Sequence, residues 1–221
     1  MVQVRARYPW ALLPAKAHSE VSAAKRDAAL YNEQFRWLRR ERVPELCWPW
    51  RLGREAGWVI PSPVHVRMDR IEDVELSADD PEELQAAAAA AGYDALWRRG
   101  PVHIATRGAG WVRESEVKTD RGWEAMFVPN GGGTLEWHLG WDVKIPAGYF
   151  LLVLGSDELP QLEVPAGMLD SKALTRLNQT TGMAIAIRPR GPVEISRGQA
   201  IARMLLLHPD SLKAQLREDT Q

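Results

Sequence analysis

Cysteine is nearly absent from this sequence of 221 residues, in which Cys47 is the only one. A single cysteine excludes an intramolecular disulfide framework and the zinc sites that use several cysteines. No segment approaches the run of about 20 apolar residues that a membrane-spanning helix needs, and the N-terminal stretch lacks the apolar core of a signal peptide. We therefore expect a cytoplasmic protein, in a reducing compartment and without a membrane partner.

An excess of charge of either sign is also missing. The 28 basic and 29 acidic side chains give a formal net charge of −1. Nucleic-acid binding usually accompanies a basic excess, so we expect no nucleic-acid partner. The length fits one domain with a substantial core, and we treat residues 1–221 as a single domain.

Tryptophan, by contrast, is abundant, with ten residues that all lie in the first two thirds of the chain. Each indole buries a large area and carries one N–H that needs an acceptor. Two interpretations stay open: the tryptophans line an aromatic ligand pocket, or they pack the core and the interface of a homo-oligomer, a dimer or trimer. They stand at positions 10, 37, 48, 50, 58, 97, 111, 123, 137 and 141.

The first 43 residues predict an extended, proline-marked arm followed by a helix. Residues 19–42 are rich in helix formers with apolar side chains near helical spacing. The arginines at the end of this segment suit the negative end of a helix dipole better than they suit an anion site. They are Arg36, Arg39, Arg40 and Arg42.

Most of the remaining chain predicts strands. Residues 44–76 and 100–208 carry short apolar runs, and turn residues recur about every 8 to 12 positions in the second stretch, as in all-β barrels and sandwiches. Residues 77–99 predict an inserted helix that Asp80 caps. Residues 209–221 predict a C-terminal helix, capped by Asp210 or Ser211. The predicted class is mainly β (α+β): a β-clip-like or barrel-like antiparallel meander with two or three peripheral helices.

Two resemblances to known families follow from longer stretches. RVPELCWPWRLGREAGWVIPSPV and GTLEWHLGWDVKIPAGYFLLVLGSDELPQLEVPAGMLD resemble an uncharacterised bacterial family of unknown function, over residues 44–66 and 123–208. That resemblance implies a fold but no activity. IPAGYFLLVLGS, VPAGMLDSKAL and VEISRGQAIARMLLL are similar to the end of a dUTPase-type β-clip domain.

The dUTPase-like resemblance puts Asp170 where that family keeps its water-activating aspartate. The family's tyrosine and glycine are replaced by Ala173 and Thr175, and LGSDEL lacks the arginine–serine pair that grips phosphates. The resemblance therefore implies a β-clip shape, with trimer formation, and leaves nucleotide hydrolysis without its mechanism.

The candidate catalytic residues are His138, Asp142 and Asp170, because general acid–base chemistry needs a histidine beside an acid. Glu136 and His138 share one face of a strand by period-2 alternation, and Trp137 points to the other face. The alternative is a solvated acidic face over a buried tryptophan. The glycines of residues 130–133 predict a flexible hairpin and no phosphate cradle, since they lack the lysine of a P-loop.

The candidate ligand-binding residues include Glu136 and the tryptophans nearest to it in the predicted pocket. They are Trp137, Trp141, Glu136 and Trp58. A metal site is the alternative, because two histidines and one carboxylate could hold an iron(II) ion. Its candidates are His138, Asp142, His65 and His103. The cupin-like HxH spacing is absent, so we assign no metal, and we name no cofactor.

Three functions remain. The leading hypothesis is a small-molecule-binding protein or enzyme of bacterial specialised metabolism with a Trp-lined pocket. The second is a non-enzymatic structural or interaction protein whose aromatic side chains pack an oligomer interface. The third is a degenerate nucleotide phosphatase. Whether the protein is an enzyme stays open.

Overall fold

The computed structural model describes residues 1–17, 21–34, 44–77, 80–107, 112 and 116–216. Its helices are α1 (Val21–Gln34), α2 (Trp48–Glu55), α3 (Pro81–Ala90), α4 (Ser171–Gln179) and α5 (Pro209–Lys213), and a 3-10 turn spans Pro44–Leu46. Its strands are β1 (Gln3–Ala6), β2 (Trp58–Pro61), β3 (Val66–Met68), β4 (Asp73–Leu76), β5 (Ala95–Arg99), β6 (Val102–Thr106), β7 (Glu116–Thr119), β8 (Gly122–Ala125), β9 (Phe127–Gly131), β10 (Thr134–His138), β11 (Trp141–Lys144), β12 (Phe150–Gly155), β13 (Leu162–Glu163), β14 (Gly167–Asp170), β15 (Ala184–Pro189), β16 (Val193–Ile195) and β17 (Ala200–Leu207).

Two four-stranded antiparallel sheets form the body, with strand orders β13-β15-β10-β9 and β14-β12-β17-β2. Alternate side chains of both sheets enter one apolar cluster, in which Leu135, Leu151 and Ile201 are fully buried. This confirms the predicted mainly β, α+β class. Within the described residues the sheets stay open and none closes into a barrel, so the arrangement fits the β-clip-like form of the prediction.

The N-terminal arm (residues 1–17) lies across the body. β1 pairs antiparallel with β11, and Ala15 bridges to Val59 further along. Between these contacts the Trp10 ring packs on Gly140, which has φ +75°, and a Cβ there would lie 2.4 Å from the ring. Only glycine provides both the left-handed backbone and the space for this close approach.

The inserted unit (residues 73–106) combines one helix with a small sheet of order β4-β6-β5. The predicted cap is confirmed, because the Asp80 side chain accepts from Glu82 N at 2.9 Å. The predicted extension of the helix to residue 99 is wrong, since α3 ends at Ala90 and residues 95–99 form β5. Gly92, with φ +79°, turns the chain out of the helix, and pairing with β6 overrides the helix propensity of the segment.

The predictions for the other helical segments also need correction. Residues 48–55 form α2 where strands were predicted, because Pro49 lies in the first helical turn, where its missing N–H is not needed. The chain also forms α4, which was not predicted. α5 is capped by His208, whereas both predicted caps, Asp210 and Ser211, lie inside it; it ends at Lys213, so the predicted helix does not continue through residues 214–216. Residues 35–42, with their arginines, lie outside the described residues.

The outer edge of β11, opposite β1, is bonded by other parts of the chain. The Asn178 side chain of α4 accepts from Val143 N at 3.2 Å and donates to Val143 O at 2.8 Å. Met183 N donates to Trp141 O at 2.7 Å. The side-chain amide of Asn178 thus takes the place of a neighbouring strand along this edge of β11.

Candidate functional site

The two faces of β10 separate polar from apolar side chains. Leu135 and Trp137 point into the core with 0% exposure, and Trp137 packs on Phe127 with ring centroids 4.9 Å apart. Glu136 and His138 lie on the opposite, half-buried face, where Glu136 Oε1 is 3.1 Å from His138 Nε2. The predicted shared face is confirmed, and Glu136 with His138 is called the dyad below.

Arg99 extends the dyad from the inserted unit. Its Nη2 donates to Glu136 Oε2 at 2.6 Å and also to Asn130 Oδ1 at the end of β9. Arg99 at the end of β5 thus contacts Glu136 of β10, which lies 37 residues further along the chain. Both carboxylate oxygens of Glu136 are therefore bonded, one by Arg99 and one by His138.

The electrostatics of Glu136 follow from these partners. The hydrogen bond with His138 and then that from Arg99 outweigh the opposing effect of burial, and they lower the pKa of Glu136 from 4.5 to about 2. The carboxylate is thus ionised at neutral pH. When a neutral His138 donates Nε2–H to it, Nδ1 is the nitrogen left to accept a proton. No hydrogen bond to Nδ1 forms within the described part of the chain.

A small cleft gives access to His138. It is bounded by the arm on one side and by the β7–β8 hairpin on the other, and its volume of about 20 Å³ is enough for about one water molecule. Tyr8 and Trp10 stack with centroids 5.4 Å apart and an interplanar angle of 16°. Trp10 Nε1 donates to Lys118 O at 3.0 Å, and Tyr8 OH donates to Asp120 Oδ1 at 3.1 Å. These bonds fix the arm against the hairpin.

The other two predicted catalytic residues lie elsewhere. Asp142 pairs with the arm, at 2.9 Å from Arg5 and 3.6 Å from Arg7, and forms no hydrogen bond or ion pair with His138. Asp170 is the N-cap of α4, and its Oδ1 accepts from Ala173 N at 2.6 Å. The predicted grouping of His138 with both aspartates is wrong, because each carboxylate serves a structural partner.

The predicted Trp-lined pocket does not form around β10 and β11. Trp137 and Trp141 have 0% exposure, so neither presents a surface to a ligand. Trp58 lies on β2, in the other sheet, with the Lys16 ammonium 4.4 Å from its ring centroid. Of the predicted ligand-binding set, only Glu136 belongs to the dyad, and the indole that lines the cleft is that of Trp10.

The candidate metal ligands are dispersed. His65 is exposed before β3, and its Nδ1 accepts from Arg197 N at 3.3 Å. His103 is on β6 of the inserted unit. Within the described ranges, no three histidine, cysteine or acidic side chains are grouped as a metal site would require. Residues 130–133 do form the predicted hairpin, and Gly133 N donates to the Asp73 carboxylate at 2.9 and 3.1 Å.

Sequence reasoning missed the residues that complete the site. The sequence predicts a helix at Arg99, whereas this residue ends β5 of a short hairpin. Its contact with Glu136 joins residues 37 positions apart, and no local pattern predicts it. The alternation of VRARY in residues 4–8 is typical of a strand with arginines on one side, and this pattern could have predicted the arm strand next to Tyr8.

No protein-family model and no curated protein sequence matches the chain. The resemblance to an uncharacterised bacterial family therefore stays a prediction. None of the described helices is long and apolar enough to cross a bilayer.

Similar solved structures include dUTPases of staphylococcal phages. A mutant dUTPase from phage phi11 of S. aureus is similar with a TM-score of 0.42 and 11% identity, covering 100% of this chain and 95% of that chain. A mutant dUTPase of Staphylococcus bacteriophage 80alpha gives a TM-score of 0.42 and 12% identity, with 100% and 95% coverage. A likeness at this level carries no conclusion about the residues of the site.

Proposed function

We propose that this chain is a small-molecule-binding protein in which the dyad contacts the ligand and His138 accepts a proton or a hydrogen bond from it. The observation that supports this proposal is the continuous chain of bonds from Arg99 through Glu136 to His138, which ends at a cleft. A fixed carboxylate orients an imidazole and stabilises its protonated form, as a general base requires.

The shape of the cleft restricts how a ligand reaches His138. A volume of about 20 Å³ admits one small polar group, such as a hydroxyl. The body of the ligand must then lie outside, beside Tyr8 and Trp10, or those rings must move. The proposal therefore predicts a ligand with a narrow polar end.

Native mass spectrometry tests the proposal directly. Wild-type protein and the His138→Gln variant are incubated with the low-molecular-weight fraction of a bacterial extract, and bound masses are recorded. We expect a small-molecule adduct on the wild type that is lost in His138→Gln. The control is His65→Gln, which changes an exposed histidine away from the cleft and should keep the adduct. An adduct that survives in His138→Gln, or no adduct on the wild type, contradicts the proposal.

An interaction protein is the second candidate, because several tryptophans are exposed. Trp48 on α2 is 58% exposed, and Trp123 on β8 is 70% exposed. Exposed indoles are frequent at protein interfaces. The same native spectra report the number of subunits. A dimer or trimer that Trp48→Ser or Trp123→Ser dissociates would favour this function, and a monomer would contradict it.

A further inference from the structure

An open groove adjoins the cleft on the outer side of the arm. It is lined by residues 5–10 and by residues 118–120, and its volume is about 860 Å³. Tyr8, Trp10 and Thr119 line both the groove and the cleft, so the two are continuous. The volume lies in the range of about 300–1,000 Å³ that is typical of small-molecule sites.

The side chains around the groove carry an excess of positive charge. Arg5, Arg7 and Lys118 line it, and the nearby carboxylates are Asp120 and Asp142. These three cations and two anions leave one positive charge in excess. Such an excess favours an anionic ligand.

The two arginines share one carboxylate. Arg5 Nη2 is 2.9 Å from Asp142 Oδ2, whereas Arg7 Nη1 is 3.6 Å from Asp142 Oδ1, which accepts no hydrogen bond in the described structure. Arg7 is fixed by a second bond, from Nη1 to Thr180 O at 3.0 Å. Arg5 has a side chain that is 82% exposed, so its remaining N–H groups face solvent. One carboxylate cannot use all the donors of two guanidiniums, and the remainder suit a carboxylate or a phosphate.

Lys118 approaches the groove from the opposite side. Its exposed side chain lines the groove, while the neighbouring Asp120 accepts the Tyr8 hydroxyl. The half-buried rings of Tyr8 and Trp10 lie between the arginines and the cleft. Along the arm the order is therefore arginines, aromatic rings and then the dyad, with Lys118 on the opposite wall of the groove.

We infer that the groove selects ligands with an anionic group on a planar body: the carboxylate or phosphate binds Arg5, Arg7 and Lys118, the body packs beside Tyr8 and Trp10, and the far end reaches the dyad. The inference rests on the proposed function for that last contact. It specifies the ligand class, which the dyad alone does not.

Isothermal titration calorimetry with four probes tests the inference: benzoate, phenyl phosphate, inorganic phosphate and uncharged benzamide. We expect benzoate and phenyl phosphate to bind the wild type about tenfold more tightly than benzamide, a difference of about 1.4 kcal/mol. Inorganic phosphate should bind more weakly than phenyl phosphate, because it lacks the planar body. Raising the salt concentration should weaken the binding of both aromatic anions.

Variants locate the effect. Lys118→Gln and Arg5→Gln should each reduce the preference for benzoate over benzamide severalfold. The matched control Arg67→Gln removes an exposed arginine on β3, which pairs with Glu194, and should leave the preference unchanged. Equal affinities for benzoate and benzamide, binding of neither, or an equal loss in the control would overturn the inference.

His138→Gln separates this inference from the proposed function. The probes for this comparison are 4-hydroxybenzoate and 4-hydroxybenzamide, because their hydroxyl group supplies the narrow polar end that the dyad requires. If Lys118→Gln weakens 4-hydroxybenzoate binding and His138→Gln changes the binding of neither probe, the groove is confirmed and the role of the dyad is wrong. If His138→Gln weakens both probes equally while Lys118→Gln has no effect, the dyad role holds and the anion selectivity is wrong.

Discussion

The two faces of β10 differ in what surrounds them. The core face packs against neighbours within the two body sheets, and its Trp137 is fully buried. The polar face is completed by segments from outside those sheets: the arm brings Tyr8 and Trp10, and the inserted unit brings Arg99. The comparison teaches that burial is concentrated on one face of β10 and the candidate chemistry on the other, so mutations on the two faces should lower stability by different amounts and through different forces.

Trp137→Ala should have the largest effect. Removing a fully buried indole leaves a cavity and should lower the free energy of unfolding by about 3–5 kcal/mol. Urea unfolding followed by circular dichroism measures this. The control Trp123→Ala removes an indole that is 70% exposed and should change stability by less than about 0.5 kcal/mol. Equal losses in the two variants would contradict the assignment of stability to the core face.

Acid should destabilise the protein through the polar face of β10. The pKa of Glu136 is about 2 in the folded protein, against an ordinary value of 4.5. The ionised Glu136 carboxylate therefore stabilises the folded protein by roughly 2–3 kcal/mol. This stabilisation is fully present above about pH 4.5 and is lost as the pH falls toward 2.

Glu136→Gln removes this titration, so its stability should fall less than that of the wild type between pH 5 and about pH 2. Urea midpoints across that interval measure the difference. Glu194→Gln, which changes a side chain that is 76% exposed, should follow the wild-type curve. A wild-type slope retained in Glu136→Gln would show that the dyad carboxylate does not carry it.

Gly140→Ala tests whether the arm closes the polar face. A Cβ at this position would lie 2.4 Å from the Trp10 ring, so the arm must shift. Gly148→Ala is the matched control, because its φ of +81° imposes the same backbone strain and open space surrounds it. We expect a backbone penalty of about 1–2 kcal/mol in both variants. Only Gly140→Ala should increase the proteolytic cleavage of the arm, and equal cleavage in both would argue against the contact.

Substitutions of Asp170 should have the smallest effect on stability, and they distinguish a helix-capping role from a catalytic one. Asp170→Ala removes the cap of α4 and should cost about 1 kcal/mol, while Asp170→Asn keeps a capping oxygen and should cost little. A water-activating carboxylate would instead lose activity in both variants. We expect no turnover of nucleoside triphosphates with magnesium by the wild type, and turnover that Asp170→Asn abolishes would restore the phosphatase alternative.

The strands after residue 100 could be predicted because glycine and proline mark their turns and apolar residues alternate between them. α2 could not, since Pro49 starts a helix as readily as it interrupts a strand. α4 carried signals that were available in the sequence: a capping Asp170, followed by Leu174 and Leu177 at helical spacing.

The site was predictable only where its contacts are local. Glu136 and His138 are two residues apart on one strand, so alternation reveals the pair. Arg99 lies in the local β5–β6 hairpin, but its contact with Glu136 joins residues 37 positions apart, and no local pattern specifies that contact. Asp142 is close to His138 in sequence, but the turn at Gly140 places it beside the arm instead.

The bonding of both edges of β11 has a consequence for solubility. An exposed strand edge is a template on which the strand of another molecule can add. β1 occupies one edge of β11, and Asn178 and Met183 occupy the backbone groups of Val143 and Trp141 on the other. A neighbouring chain therefore cannot bond to Val143 N, Val143 O or Trp141 O, and this protects β11 from edge-to-edge aggregation.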